Sequence, residues 1–459
     1  MKVNIHYIRQ GKELNISQQL ALTVRLALPA MLAMLSSILM QYIDAAMVGH
    51  LGEGPSASIG LVGTTLWLFW GVCSMVTTGF TVQVAHRVGA NDSEGARDVL
   101  RQSIVACLIF GAAMALAGVA ISPWLPQWLG GEESINRDAG LYFGIFAGAL
   151  PLLTINYLAG GMLRSVGNMK VPSLINVGMC LLDVVFNYVF IFILDLGVLG
   201  AAMGTVMAEI VSAAAMMYFM WFKQPELMLH GRSGRYKPTR SIIRKAGMIA
   251  APMTLEHAVL CGAQIAVTVI VAPLGLVAIA ANSFAVTAES LCYMPGYGIG
   301  DAATVLTGQS YGAARPDLVK RFGFISVGLG MAVMTLMGIV MWVAAPQLMA
   351  IMTPIEAIRS AGTEILRIEA WAEPMFAASI VAYGAMVGVG KTLMPALMNF
   401  GSIWLVRLPL AWWWSREFGL NGVWMAMAVE LTFRGAIFLV RLFRTRSWIP
   451  PVEGLSAIS

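Results

Sequence analysis

Apolar segments of about 20 residues or more recur twelve times along this 459-residue chain, separated by short polar connections. A helix of that length crosses the hydrocarbon core of a bilayer, which is about 30 Å thick. Charged residues make up only 12% of the chain, and its mean hydropathy is +0.76. Because no polar stretch is as long as a soluble domain, lipid must be the main solvent for the surface. The sequence therefore predicts an all-α polytopic membrane protein with 12 transmembrane helices.

The predicted spans are contiguous apolar runs whose ends are set by charged residues, glycine or proline. They cover residues 21–48, 58–85, 101–124, 139–163, 172–194, 198–222, 246–273, 278–308, 322–345, 361–388, 393–415 and 421–443. Each span is predicted to be one membrane-crossing helix.

Lysine and arginine are distributed unevenly between the connections on the two sides. Of the 29 basic residues, 22 fall on one side, whereas only Arg137, Arg359 and Arg416 fall in the opposite connections. The positive-inside rule then predicts that both termini are cytoplasmic, in a multi-pass protein of the bacterial inner membrane. The same bias accounts for the net charge of +5 without a nucleic-acid partner.

The chain partly matches itself under one constant shift, the shift that places Pro29 on Pro252. The same shift places Gly161 on Gly384, Pro172 on Pro395 and Asn176 on Asn399, and further on Glu209 meets Glu430 after a small slip. The period covers six spans, an even number, so both halves should enter the membrane in the same direction. The repeat predicts an N-lobe of residues 1–222, a basic cytoplasmic linker of residues 223–245, and a C-lobe of residues 246–459 that ends in a short cytoplasmic tail.

Parallel repeats of this kind are a transporter architecture. Substrate is expected to bind near the midplane between the halves, and rocking of one half against the other would alternate access. The alternative interpretation is a gene duplication that was retained only for stability.

Ionisable groups inside hydrocarbon are costly and therefore indicate function. In the first half, Asp44 lies late in span 1, and Asp183 lies in span 5 with Asn187 one turn later on the same face. Asn156 in span 4 and Thr205 in span 6 add an amide and a hydroxyl. Such oxygen ligands suit Na⁺, or two carboxylates that share a proton. The alternative for either acid alone is a hydrogen bond between helices.

The second half carries more acids within its spans. Glu256 and Gln264 lie in span 7, Glu289 in span 8 and Glu373 in span 10, and they are candidates for a substrate site or a secondary proton site. Structural pairing is the alternative for Glu256. The Glu430 and Arg434 side chains, four residues apart with the acid first, are expected to form a helical ion pair of mainly structural role.

Four stretches resemble multidrug and toxic compound extrusion (MATE) transporters of bacterial type. They are LPAMLAMLSSILMQYIDAAMVGHLG, RVGANDSEGARD, LRSVGNMKVPSLINVG and MPGYGIGDAATVLTGQSYGA. Their order and spacing, together with two six-helix halves, extend the resemblance over about residues 20–445.

The resemblance implies two pseudo-symmetric six-helix lobes around a central V-shaped cleft, and a secondary antiporter driven by Na⁺ or H⁺ that exports cationic and amphipathic compounds. Asp44 matches the acid of the family's first helix, and Asp183, Asn187 and Thr205 match the positions that complete the N-lobe cation site. The family often has Asn first and Asp one turn later, and here that order is reversed. Glu256 matches an acidic position of some branches.

Other functions fit the sequence less well. A flippase for a lipid-linked saccharide would favour a cationic cavity, whereas the intramembrane groups here are mainly acidic. A membrane-embedded enzyme is a more distant alternative, because the five histidines are scattered and no H-E-x-x-H motif occurs. No G-x-x-x-x-G-K-[ST] loop is present for ATP. We expect no cofactor and no metal other than Na⁺; the partners would be the bilayer and small-molecule substrates, and the protein would act as a monomer.

Overall fold

The structure, a computed structural model, describes residues 5–444 and 447–450, and within these ranges it contains helices and loops but no strand. The helices of the first half are α1 (His6–Arg9), α2 (Ile16–Gly49), α3 (Glu53–Gly89), α4 (Ser93–Ile121), α5 (Leu125–Trp128), α6 (Glu133–Gly148), α7 (Leu150–Ser165), α8 (Lys170–Tyr188) and α9 (Gly197–Tyr218). Those of the second half are α10 (Arg240–Val271), α11 (Leu276–Gly312), α12 (Pro316–Met352), α13 (Glu356–Glu369), α14 (Glu373–Gly388), α15 (Leu393–Gly401) and α16 (Leu408–Phe443). Short π-helical segments extend α8 and α9 and join α15 to α16.

The number of membrane crossings follows from the length and bending of these helices. In the described ranges, nine helical stretches can each cross a bilayer, and two further pairs can do so as bent spans. One of the nine, Leu393–Phe443, has 51 residues, which in a straight helix would measure about 77 Å, more than twice the hydrocarbon thickness. It is not straight, because Gly419 has φ 58° and a Cβ on Gly422 would lie 2.2 Å from the carbonyl oxygen of Trp414. The chain reverses there and crosses twice, so the prediction of twelve spans is confirmed.

Two predicted spans are broken rather than continuous. The helices α6 and α7 meet at 47° where the sequence predicted one helix over 139–163, and α13 and α14 meet at 60° where it predicted one over 361–388. Pro151 and Pro374 lie in the first turn of the second helix of each pair. Proline lacks the backbone N–H and clashes with the preceding turn, so it begins a new helix instead of continuing the old one. The shift that places Pro29 on Pro252 also places Pro151 on Pro374, so the two breaks are equivalent in the repeat.

Contacts among the described residues divide the chain into two compact units. One unit runs from Ser36 to His257, and the other combines the chain up to Leu35 with the chain from Ala258 onward. The divisions therefore fall inside α2 and α10, at nearly equivalent points of the repeat. The assignment of residues 1–222, 223–245 and 246–459 to two lobes and a linker stays a prediction.

The repeat is visible in side-chain contacts within each unit. In one unit, the Ser165 hydroxyl donates to the carbonyl oxygen of Thr81 at 2.9 Å, and a Cβ on Gly161 would lie 2.7 Å from the Thr81 side chain. In the other, the Thr304 hydroxyl donates to the carbonyl oxygen of Gly384 at 2.8 Å. The repeat places Thr81 on Thr304 and Gly161 on Gly384. The same helix pair is therefore packed through the same positions in both units.

Candidate functional site

Four of the five residues predicted for the N-lobe cation site lie together within the unit Ser36–His257. Asp44 comes from α2, Asp183 and Asn187 from α8, and Thr205 from α9. The Asn187 amide nitrogen Nδ2 donates to Asp44 Oδ1 at 3.0 Å and to Asp183 Oδ2 at 3.1 Å, and it lies 3.4 Å from Thr205 Oγ1. One amide group thus bridges three helices. The i to i+4 spacing of Asp183 and Asn187 places both on the same face of α8, as the sequence predicted.

The two carboxyl groups of this cluster also contact each other directly. The Asp44 and Asp183 side chains are within hydrogen-bonding distance of one another. The Asp183 side chain is completely buried, whereas Asp44 is half-buried. Two carboxylates in contact repel each other when both are ionised, so the pair is stable only when a proton or another cation lies between them. We call Asp44, Asp183, Asn187 and Thr205 the acid-pair cluster.

Two oxygen atoms of the acid-pair cluster have no hydrogen-bond donor among the described residues. They are Asp183 Oδ1 and Asn187 Oδ1, and both are buried. A buried oxygen without a donor costs free energy of about 1–3 kcal/mol, so such atoms are rare unless something else occupies their lone pairs. Oxygen atoms from carboxylates, amides and hydroxyls are the ligands of hard cations, and a protonated carboxyl would also satisfy this geometry.

The close approach of α8 and α9 depends on Gly204, which sequence reasoning did not identify. A Cβ on Gly204 would lie 2.1 Å from Asn187 Oδ1 and 2.8 Å from the Asn187 backbone nitrogen. No side chain fits in that space, so glycine is needed for the two helices to meet at Asn187. The available signal was the spacing of Gly200 and Gly204, a small-x-x-x-small pattern that is typical of tightly packed membrane helices.

The fifth predicted residue, Asn156 of α7, bonds to a different acid. Its Nδ2 donates to Glu209 Oε2 at 2.6 Å, and its Oδ1 accepts from the Ser212 hydroxyl at 3.3 Å. Glu209 and Ser212 both belong to α9. Glu209 is one turn beyond Thr205, so this second group continues along α9 from the acid-pair cluster.

In the second half, Glu289 of α11, Glu369 at the end of α13 and Glu373 at the start of α14 come together. Their carboxylate oxygens lie within 4.8 Å of one another, and all three side chains are buried. Within the described part of the chain, neither oxygen of Glu369 has a hydrogen-bond partner, and the side-chain partner of Glu373 is the weak thiol donor of Cys292. The half-buried Arg407 interacts electrostatically with Glu289 and Glu369. We call Glu289, Glu369 and Glu373 the three-glutamate cluster.

Two of the residues predicted for the second-half site lie elsewhere. Gln264 is exposed on α10, and the buried Glu256 belongs to the unit Ser36–His257 rather than to the unit that holds the three-glutamate cluster. Glu369, which was not among the predicted site residues, takes their place beside Glu289 and Glu373. It is the last residue of α13 and lies four residues before Glu373, the first residue of α14.

The predicted ion pair of the last span is present. Arg434 donates to both oxygens of Glu430, from Nε at 2.8 Å and from Nη2 at 2.9 Å, and the Ser402 hydroxyl also donates to Glu430. Glu430 is fully buried and Arg434 nearly so. A buried carboxylate bound at both oxygens by guanidinium is neutralised and fixed in place, which fits a structural role.

The family model MatE matches this chain twice, over residues 29–189 and over residues 252–413. The two matches begin at Pro29 and Pro252, the pair that the repeat found in the sequence superposes. Together they cover more than half of the chain. The prediction of an internal repeat is therefore confirmed.

Curated relatives and solved structures match along nearly the whole chain. A probable multidrug resistance protein NorM of Thermotoga maritima is 26% identical over 433 residues, which cover 93% of this chain and 92% of that protein. One from Pseudomonas syringae pv. tomato is 27% identical over 446 residues, with 94% and 95% covered.

Among solved structures, a crystal structure of MATE in complex with MaL6 has a TM-score of 0.90 at 20% identity, with both chains fully covered. A MOP superfamily transporter from Pyrococcus furiosus has a TM-score of 0.88 at 20% identity, with 99% of this chain and 100% of that one covered. It is described as having a binding pocket of reversed polarity that suggests a different function. At this identity the structures establish the fold.

Proposed function

This chain belongs to the MatE family of membrane transporters, and on that premise we propose that it exports small compounds in exchange for H⁺ or Na⁺. It is a transporter and not an enzyme. The observation that carries the proposal is the acid-pair cluster, in which two carboxyl groups contact each other and two buried oxygens lack donors. No lysine or arginine of the described residues forms an ion pair with either acid. Burying such groups inside hydrocarbon is costly, and a role in binding the coupling ion explains why they are there.

The proposed cargo is mainly cationic or amphipathic. The curated relatives are described as multidrug resistance proteins, and the buried charges of the unit Ser36–His257 that lie near the acid-pair cluster are acidic. Carboxylates attract organic cations and the coupling ion alike, so the two compete for the same charge. This competition is the physical basis of exchange.

In the proposed cycle, H⁺ or Na⁺ reaches the half-buried Asp44 first and is then shared with the buried Asp183. The bound cation neutralises the pair and reorganises the hydrogen bonds that Asn187 donates across α2, α8 and α9. Because Asp44 belongs to α2, the packing of that helix changes with the charge of the pair, and the affinity for substrate falls. The transporter then opens to the cytoplasm and releases the cation there.

The three-glutamate cluster is proposed as a secondary proton site. The cluster contains three acids, and the single positive charge of the nearby Arg407 can compensate only one of them. Uncompensated carboxylates inside hydrocarbon bind protons or cations instead of remaining charged. Gln264 and Glu256 are kept as candidates for substrate contact, at positions separate from this cluster.

The orientation and the driving force complete the proposal. With both termini in the cytoplasm of a bacterial inner membrane, inward movement of one cation yields about 2.3 kcal/mol per 100 mV, and each pH unit adds about 1.4 kcal/mol. Either gradient is large enough to expel substrate without ATP. No part of the cycle requires a second copy of the chain.

Transport by purified protein in proteoliposomes tests this function. We expect ethidium, an organic cation, to move against its gradient when an inward H⁺ or Na⁺ gradient is imposed, and to stop when the gradient is collapsed by an ionophore. The ion whose gradient is sufficient by itself is the coupling ion. Liposomes without protein are the control for leakage.

The rival function makes a different prediction in the same vesicles. A flippase for a lipid-linked saccharide would move a labelled lipid of that kind between leaflets and leave ethidium at equilibrium under every ion gradient. That result would contradict the proposal.

A further inference from the structure

Glu209 is an intramembrane acid that the proposed cycle does not use. It lies on α9, its Oε2 accepts from Asn156 at 2.6 Å, and that asparagine accepts in turn from Ser212. The other titratable groups that interact electrostatically with Glu209 are Tyr157 of α7 and Cys180 and Asp183 of α8. Within the described residues, no lysine or arginine forms an ion pair with Glu209 or appears among the charges that act on it.

The repeat places Glu209 on Glu430 of the second half, once the small slip is allowed for. There the acid has a mainly structural role, so the two positions can be compared. Ser402 donates to Glu430. Cys180, which the repeat places opposite Ser402 once the small slip is allowed for, lies within electrostatic range of Glu209. Both acids therefore lie near equivalent positions of the preceding span of their own half.

The two positions differ in their counter-charge. Glu430 is held by Arg434, four residues later, through two hydrogen bonds of 2.8 and 2.9 Å. Four residues after Glu209 the chain has Ala213. One half thus neutralises its acid with a fixed guanidinium, and the other half provides only a neutral amide.

The chemistry around Glu209 favours a proton over a metal ion. A hard cation needs several oxygen ligands, whereas the close contact to Glu209 is an amide N–H, and the oxygen of that amide is occupied by Ser212. A protonated carboxyl can still accept from Asn156 through its carbonyl oxygen. It also avoids the cost of an uncompensated charge in hydrocarbon.

Glu209 is electrostatically linked to the acid-pair cluster. It acts on Asp183, so a negative charge on one of the two acids disfavours a negative charge on the other. Loss of the first cation therefore makes loss of the second harder, so the two sites release their cations one after the other.

We propose that Glu209 is a second proton-carrying carboxyl of the first half, so that each cycle moves one more cation than the acid-pair cluster alone would move. The inference rests on the proposed exchange function and adds a site to it. In this scheme Asn156 is a positioning residue for Glu209 rather than a ligand of the acid-pair cluster.

Infrared spectroscopy of the detergent-purified protein tests the proton directly and needs no transport. In the difference spectrum between wild type and Glu209→Gln at neutral pH, we expect the loss of a protonated carboxyl band. Glu430→Gln, the matched change in the other half, should remove ionised carboxylate bands instead. If Glu209→Gln removes only ionised carboxylate bands, the proposal is wrong. Should Glu209→Gln fail to fold, Glu209→Asp serves in its place, with a shifted carboxyl band expected and an unshifted one contradicting the proposal.

The number of cations per ethidium, measured from reversal potentials in proteoliposomes, tests the role in coupling. We expect Glu209→Gln to move one cation fewer, which lowers the ethidium gradient sustained by 100 mV about 50-fold. The exposed acid Glu417, changed to Gln, is the control and should leave the number unchanged. An unchanged number in a folded Glu209→Gln protein overturns the inference, whereas a wild-type protein with no ion-driven transport overturns the proposed function itself.

Discussion

Replacing Asp183 with asparagine should abolish gradient-driven efflux while leaving the protein folded. The substitution keeps the size of the side chain but removes the buried charge that a cation needs. A hydrogen bond to a charged group is worth about 1.5–3 kcal/mol, so the affinity for the coupling ion should fall about 10- to 100-fold. Ethidium counterflow between vesicles of equal ion content, which needs no coupling, should be retained. The measurement compares the two modes of transport in the same proteoliposomes.

Asp195→Asn is the matched control for this change. Asp195 follows α8, is exposed, and has a positive φ of 52°, which asparagine also tolerates. It should behave as wild type in both modes. Asp44→Asn should reproduce the effect of Asp183→Asn, because the two carboxyl groups share one cation. An Asp183→Asn protein that still drives ethidium uphill as well as wild type would show that the acid-pair cluster does not bind the coupling ion.

Adding one methyl group at Gly204 should also inactivate the transporter, through packing rather than charge. In Gly204→Ala the new Cβ would lie 2.1 Å from Asn187 Oδ1 and 3.0 Å from its Cα, so α9 must move away from α8. Overpacking of this kind costs about 1–3 kcal/mol of folding stability. It also pulls Asn187 away from the two acids. We expect a lower melting temperature in detergent together with loss of ion-driven efflux.

The neighbouring helix offers a matched glycine. Gly178 precedes Asp183 on α8, and nothing is within 4 Å of the position where its Cβ would be. Gly178→Ala should therefore keep full transport, and it should be slightly more stable because alanine favours the helix. If Gly204→Ala transports and melts like Gly178→Ala, the close approach of α8 and α9 at Asn187 is not needed for function.

Much of the acid-pair cluster could be predicted because charge in hydrocarbon is so costly. Asp44 and Asp183 stand out among apolar neighbours, helical spacing adds Asn187, and Thr205 is a hydroxyl of span 6 that the family resemblance also selects. The direction of the Asn187 amide could not be predicted, because it depends on how three helices meet. The reversed order of Asp183 and Asn187 still places both acids on the same amide nitrogen.

The structure places the remaining predicted site residues in other groups, because a distance along the chain does not determine a distance in space. Asn156 was grouped with the acid-pair cluster because both are polar and in the first half, yet it bonds to Glu209. Glu369 was not among the predicted site residues, although it lies four residues before Glu373, the spacing of neighbours on one helix face. The 60° bend between α13 and α14 depends on packing that the sequence does not reveal.

The fold was easier to predict than the site, for a physical reason. Hydrocarbon requires each span to satisfy its own backbone hydrogen bonds, so the apolar runs could only be helices. Helix ends are less constrained. The chain reverses at Gly419, and two spans break before Pro151 and Pro374. Glycine and proline favour such breaks, but a sequence also contains many glycines and prolines at which no break occurs.

Ion release on substrate binding is the most direct measurement of exchange. Detergent-purified protein is loaded with ²²Na⁺ or held in weakly buffered solution with a pH indicator, and ethidium is then added. The account predicts that ethidium binding displaces Na⁺ or protons from the wild-type protein, and that less is displaced when Asp44 and Asp183 are both replaced by asparagine. Ethidium that binds without displacing either ion, or that displaces the same amount from the doubly substituted protein, would contradict it.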